Sequence, residues 1–150
     1  MYFIGFNTEP WTLTGCQGIS LHPLMNYSII ECANGEQYIM SSQRYIAHRE
    51  FLKKRGAKTS MRIVGDYFRD VTVEEPLSKR EIKVCFDKQI RPTYGSGINT
   101  VCPAHFVDDL KIAQVSIEII FDKKYKRILV WREKDMLMKR GFLLKKLAML

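Results

Sequence analysis

At 150 residues the chain has the length of one domain, and with 46% apolar and 27% charged residues it is composed like a globular protein rather than a disordered one. No apolar run reaches the roughly 18 residues a membrane helix needs, no basic segment leads into a signal-type core, and no period recurs, which sets aside membrane spans, secretion leaders and repeat arrays. The net charge of +8 is lopsided: residues 1–122 carry 14 basic and 14 acidic side chains, whereas residues 123–150 carry 10 basic and 2 acidic.

Residues 2–6 read as a short opening strand, followed by a turn-rich stretch punctuated by Pro10, Gly15, Gly18 and Pro23. Residues 27–32 form a second strand candidate that ends at the turn Ala33-Asn34-Gly35. From residue 36 to 55 the apolar spacing of Tyr38, Tyr45, Ile46 and Leu52 approximates a helical period, with Gly56 as a stop. Residues 61–68 read as a short amphipathic helix, and Pro76 can open another over 77–80. Ile82, Val84 and Phe86 alternate as a strand does, and residues 90–103 read as a loop around Gly95-Ser96-Gly97. That triplet either lets a phosphate approach the backbone or is plain flexible loop; no P-loop lysine follows it. Over 107–131 two patterns compete. Val115, Ile117, Ile119 and Phe121 alternate as in a hairpin, while Val107, Leu110, Gln114, Ile117 and Phe121 form a helical stripe with Asp108-Asp109 near its start. Residues 134–150 read as a basic amphipathic helix interrupted at Gly141, suited to a core with one wet side or to an anionic membrane surface. The expected architecture is a single α+β domain, residues 1–150, with a small sheet, several helices and a basic C-terminal segment over 123–150.

Cys16, Cys32, Cys85 and Cys102 are widely spread with no Cys-x-x-Cys pair, which fits a cytoplasmic protein with reduced thiols. Cys102 and His105 have the spacing of half a zinc site, but the other half is not visible, so no metal or other cofactor is expected. Among the carboxylates Glu36 stands out: just past Gly35, it either caps a helix or is held near a glycosidic bond to handle a water or a developing oxocarbenium ion.

Glu36-Gln37-Tyr38-Ile39-Met40 resembles the Glu-Gln-Tyr-Met-Met helix start of the NADAR family. Leu24-Met25-Asn26-Tyr27 looks like that family's Leu-Ser-Asn-aromatic motif, Pro76 and Arg80 its Pro-x-x-x-Lys segment, and Glu133 with Asp135 its late acidic pair. The family's late Trp-Gly-x-Gly loop is missing, since Met136, Leu137 and Met138 follow Asp135. The resemblance implies a NADAR-like fold and an N-glycosidase that binds or hydrolyses an ADP-ribose-type nucleotide, ADP-ribosylated DNA included. Glu36 and Asp135 would then be catalytic, Asn26 would bind ribose hydroxyls, Tyr38 would stack on a base, and Arg44 or Arg49 would meet the pyrophosphate. With the late loop absent, ligand binding without turnover is the other form this reading takes.

A different class of function needs no enzyme. Lys123, Lys124, Lys126, Arg127, Trp131, Lys139 and Arg140 interleave charge with an aromatic ring, as a nucleic-acid surface does. The alternative is therefore a basic module that binds nucleic acid or inhibits a protein partner, of a kind a phage or virus would encode; a solvated basic face is the plain reading of the same residues.

Overall fold

A computed structural model of the chain describes residues 1–116. The basic amphipathic helix expected over 134–150, the end of the 107–131 segment, Asp135 and the basic cluster from Lys123 to Arg140 lie outside the described residues.

The architecture is α+β, built from two four-stranded mixed sheets. β1 (Tyr2–Phe3), β2 (Gly18–Leu21), β3 (Asn26–Glu31) and β4 (Gln37–Ser41) precede helix α1 (Ser42–Lys54). β5 (Lys58–Val64), β6 (Thr72–Glu74), β7 (Glu81–Phe86), β8 (Asn99–Val101) and helix α2 (Val107–Ser116) follow. One sheet has the order β1-β4-β3-β5 and the other β6-β7-β2-β8. The β1/β4 and β2/β7 pairs are parallel, and the other strand pairs within the sheets are antiparallel.

Alternation along β3 and β4 explains the layering, because successive side chains of a strand point to opposite faces. Tyr27, Ile29 and Ile39 join Leu21, Ile82, Val84, Phe68 and Ile98 in one apolar cluster shared by the two sheets. Ile30 and Met40 face the other way and pack with Tyr45, Leu52 and Ala57 beneath α1. Ser28 is buried on that side too, satisfied by a 2.9 Å hydrogen bond with the Ser42 hydroxyl at the start of the helix. Tyr27, fully buried, ties the layers together: its hydroxyl donates to Gly97 O at 3.0 Å and accepts the His22 N–H at 2.9 Å. Burial pushes its phenol up to about 12. Tyr27→Phe leaves both partners short of a hydrogen bond in a dry setting, so unfolding in urea is expected to show a loss of about 1–2 kcal/mol.

Several expected elements take another form. The helix expected over 36–55 begins only at Ser42, because residues 37–41 pair with β3 across a turn closed by Gly35 N–H to Cys32 O. Gly35 there has φ +79°, a conformation open to glycine. Ser41 is the N-cap, its hydroxyl accepting the Arg44 N–H at 3.2 Å. The helix expected over 61–68 is β5 followed by a 3-10 turn over Gly65–Phe68, since β3 offers Met61, Arg62 and Ile63 ladder partners. In place of a helix over 77–80 there is a turn at residues 76–78, in which the buried Glu75 carboxylate accepts the Leu77 and Ser78 N–H groups. The loop expected over 90–103 contains β8, which pairs with β2. Two helices longer than two turns, rather than several, are present among the described residues, and the first turns of the 107–131 segment are helical. Among the described residues no helix is long and apolar enough to cross a membrane.

Candidate functional site

The chain flanks β8 on both edges. Phe6 lies parallel to β8, its N–H bonded to Ile98 O at 2.7 Å, while on the other side Gln17 N–H donates to Val101 O at 2.9 Å and β2 begins. Residues 7–17 arch between these edges, with a 3-10 turn over Pro10–Gly15 that proline opens at its first position. Arg80 holds the far end of the arch, donating to Thr14 O and Cys16 O.

Under the arch the Asn7 amide donates to Thr12 Oγ1 at 2.9 Å and Thr100 Oγ1 at 2.8 Å, while its oxygen accepts the Glu9 N–H at 2.7 Å. All of Asn7's side-chain directions but one lone pair are thereby used, so both hydroxyls are fixed. The Thr12 hydroxyl is fully buried and donates to Glu9 O. Beside the two hydroxyls sits the Cys102 thiol, in contact with the Cys16 thiol. Both cysteines are free and buried, and the contact with Cys102, together with burial, holds the Cys16 thiol protonated.

Asp109, in the first turn of α2, meets the cluster at Cys102. Its Oδ2 accepts the Cys102 backbone N–H at 2.7 Å, and its other oxygen has no hydrogen bond from the described residues. Half-buried, the carboxyl is pushed above the usual carboxylate range by desolvation first and by Asp108 and Asp87 after it; the Cys102 N–H works in the opposite direction. A desolvated carboxylate with an open lone pair favours a cation, and the partly exposed Thr100 hydroxyl, fixed by Asn7, can orient a water. Among the described residues no three metal-ligating side chains converge, and His105 stands exposed while Cys102 faces the core.

The residues singled out in the sequence are placed elsewhere. Glu36 lies in the β3–β4 turn, not at a helix start, and its carboxylate accepts from Tyr38 Oη and Asn34 Nδ2, both at 2.7 Å. That bond pushes the Tyr38 phenol up to about 12, and the ring stacks on Tyr2 rather than standing open. Asn26 is at the opposite end of β3, about 17 Å from the Glu36 turn at strand rise. Arg44 and Arg49 are on α1, the latter paired with Glu50. Glu36 and Tyr38 are thus brought together, while Asn26, Arg44 and Arg49 do not join them. Asn7, Thr12 and Thr100 carried no local signal. Asp109 did, as half of an acidic pair at a helix start.

No family model matches the sequence. The isoleucine–tRNA ligase of Bacillus cereus (strain AH187) is 28% identical over 112 residues, covering 75% of this chain and 12% of the relative. That of Nitrosococcus oceani is 26% identical over 127 residues, covering 79% and 13%. The chain therefore spans about an eighth of the length of the curated relatives it matches. Among solved structures, GlLeuRS-CP1 superposes with a TM-score of 0.64 at 22% identity, over 72% of this chain and 41% of that one. The editing domain of P. falciparum cytosolic leucyl-tRNA synthetase gives 0.63 at 15% identity, over 84% and 50%. At such identities the likeness is one of fold.

These relatives overturn the NADAR resemblance, and with it the ADP-ribose-type nucleotide as ligand and the N-glycosidase activity. The alternative of a viral or phage basic binding or inhibitory module finds no support among them either. The physical reason is visible in the fold: the Glu-Gln-Tyr segment that carried the resemblance is a turn and a strand, not the start of a helix.

Proposed function

We propose that the cluster at the carboxyl end of β8 is the hydrolytic site of a tRNA-editing domain, which removes a wrongly attached amino acid from its tRNA. Such a second site is how a ligase discriminates between small apolar amino acids that differ by a methylene, a difference worth only about 1–3 kcal/mol in a single pocket. The observation that carries the proposal is the half-buried Asp109 carboxylate set against the Asn7–Thr12–Thr100 network, on a fold shared with a leucyl-tRNA synthetase editing domain.

The chemistry follows from the substrate an editing site handles. An aminoacyl ester carries an α-ammonium one carbon from its carbonyl. Asp109 takes that ammonium, which fixes where the carbonyl lies. Water held by the Thr100 hydroxyl adds to the carbonyl carbon, the ester C–O bond breaks, and the ribose oxygen leaves with a proton that originates from the water. A role for Asn7 as positioning residue follows from its two donated bonds, which aim the hydroxyls.

The test is deacylation of isoleucine-accepting tRNA mischarged with valine. The full chain is expected to accelerate loss of the valyl ester well above its spontaneous rate, and Thr100→Val, which keeps the shape but removes one hydroxyl, to slow it roughly tenfold. An ester that decays no faster with the chain than without it would defeat the proposal.

A further inference from the structure

Charge is distributed unevenly over the described residues. From Ser42 to Val64 the chain has Arg44, Arg49, Lys53 and Lys54 on α1, Arg55 at its C-cap, and Lys58 and Arg62 on β5, against the single acid Glu50. The remaining described residues hold seven basic and eleven acidic side chains, so this one helix–strand unit is strongly positive on an otherwise acidic body. Neutralisation within it is slight: among the described residues its ion pairs are those of Glu50 with Arg49 at 3.2 Å and Lys53 at 3.7 Å, both on the exposed surface. Lys54, Arg55 and Arg62 are exposed with no acidic partner among the described residues.

Arg44, His48, Phe51 and Arg55 follow one another at spacings of four, three and four, which aligns them in a stripe about 16 Å long on one side of the helix. Phe51 is exposed, and the Arg55 guanidinium stands 4.6 Å from its ring centroid, an arrangement that offers a flat cationic platform. Arg62 lies on the same face of the sheet as the helix, because its register partner Ser28 hydrogen-bonds Ser42. The start of α1 is also tied to the segment that leads into β8. The Ser41 N–H donates to Ser96 O at 2.8 Å, and Ser96 leads through Gly97 and Ile98 into β8, whose Thr100 belongs to the hydroxyl network.

We propose that the exposed face of α1, with Arg62 of β5, grips the phosphate backbone of the tRNA whose aminoacylated end enters the site at β8. The proposal rests on the editing reading and adds the surface that holds the body of the substrate. The ligand chemistry follows from the surface: an excess of cations on one helix and its neighbouring strand, with Lys54, Arg55 and Arg62 lacking an acidic partner among the described residues, matches a polyanionic backbone, and the Arg55–Phe51 pair can stack on a base. A single carboxylate or a small anion would leave most of these charges unused.

The discriminating experiment compares the full wild-type chain with a Lys54→Gln, Arg55→Gln, Arg62→Gln variant, and with a Lys139→Gln, Lys145→Gln, Lys146→Gln variant that changes net charge equally. Binding of an isoleucine-accepting tRNA transcript is titrated over a salt series, and hydrolysis is followed on valyl-tRNA and on 3′-O-valyl-adenosine, which has no phosphate. The α1 variant is expected to bind tRNA on the order of tenfold more weakly and to lower the salt slope by roughly two to three. It should lose rate on valyl-tRNA at low substrate while hydrolysing valyl-adenosine as the wild type does. Wild-type tRNA binding in the α1 variant, or the same loss in both variants, overturns the proposal. Should the wild-type chain hydrolyse neither ester, the editing reading falls and this surface with it; hydrolysis of both with unchanged tRNA binding in the α1 variant removes the surface alone.

Discussion

Asp109→Asn is expected to remove nearly all ester hydrolysis without unfolding the protein. The amide keeps an oxygen for the Cys102 N–H and keeps the side-chain shape, so the link between α2 and β8 survives. What disappears is the charge that the proposed editing reaction places opposite the substrate ammonium. Losing one member of a buried charge pair costs about 2–3 kcal/mol, roughly 30- to 150-fold in kcat/KM on valyl-tRNA. Stability should move in the other direction. Burial raises the native carboxyl above its unfolded value, so through the window between the two the native state holds more proton than the unfolded one. Stability then falls as pH rises through that window, and the penalty is complete above the native value. Asparagine carries no such penalty. Urea midpoints at about pH 4 and about pH 7 should therefore show the variant gaining on the wild type at the higher pH. A variant less stable than wild type at neutral pH would mean that Asp109 serves the fold first and the substrate second.

That pairing of a small structural cost with a functional gain is a reason the site was hard to read in the sequence. Strands could be read where one face alternates or a turn ends them: Ile82, Val84 and Phe86 lie on β7, and β3 stops just before the Asn34-Gly35 turn, although the strand that follows the turn was read as helix. The start of α2 was legible from Asp108 and Asp109, whose charge suits a helix N-terminus. Misreadings gathered where long-range pairing outweighs local spacing. Tyr38 and Tyr45 are seven residues apart, as in a helix, yet Tyr38 sits opposite Ile30 on a strand while Tyr45 belongs to α1. Met61 and Ile63 follow the same logic, held extended by β3. The site was the least legible part. Asn7 and Thr100 are 93 positions apart and meet only because two chain segments flank β8. No motif spans that separation. Asp109 had a sufficient explanation as a dipole partner, and only its burial and its bond to Cys102 point to a second role.

Gly97→Ala is expected to damage both stability and hydrolysis. The residue has φ +75°, where an L side chain costs about 1–2 kcal/mol, and its added Cβ would stand 2.5 Å from Ser41 Cβ and 2.9 Å from Ser41 Oγ. Neither neighbour can yield cheaply. Ser41 is the N-cap of α1, its hydroxyl donates to Pro92 O at 2.5 Å, and its N–H is bonded to Ser96 O. Gly97 itself accepts the Tyr27 hydroxyl and donates to Tyr94 O. Overpacking at such a junction adds about 1–3 kcal/mol, which brings the total to about 3 kcal/mol and the expected fall in Tm to about 6–12 °C. Gly35→Ala provides the comparison, because Gly35 has nearly the same backbone angle, φ +79°, with nothing within 4 Å of its Cβ. It should lose only the conformational share, about 1 kcal/mol, and keep full hydrolysis. The difference between the two alanines measures the steric share at Gly97. Equal losses would show that the loop from Pro92 to Ile98 gives way freely, and that β8 and its Thr100 hydroxyl are held by β2 and Phe6 alone.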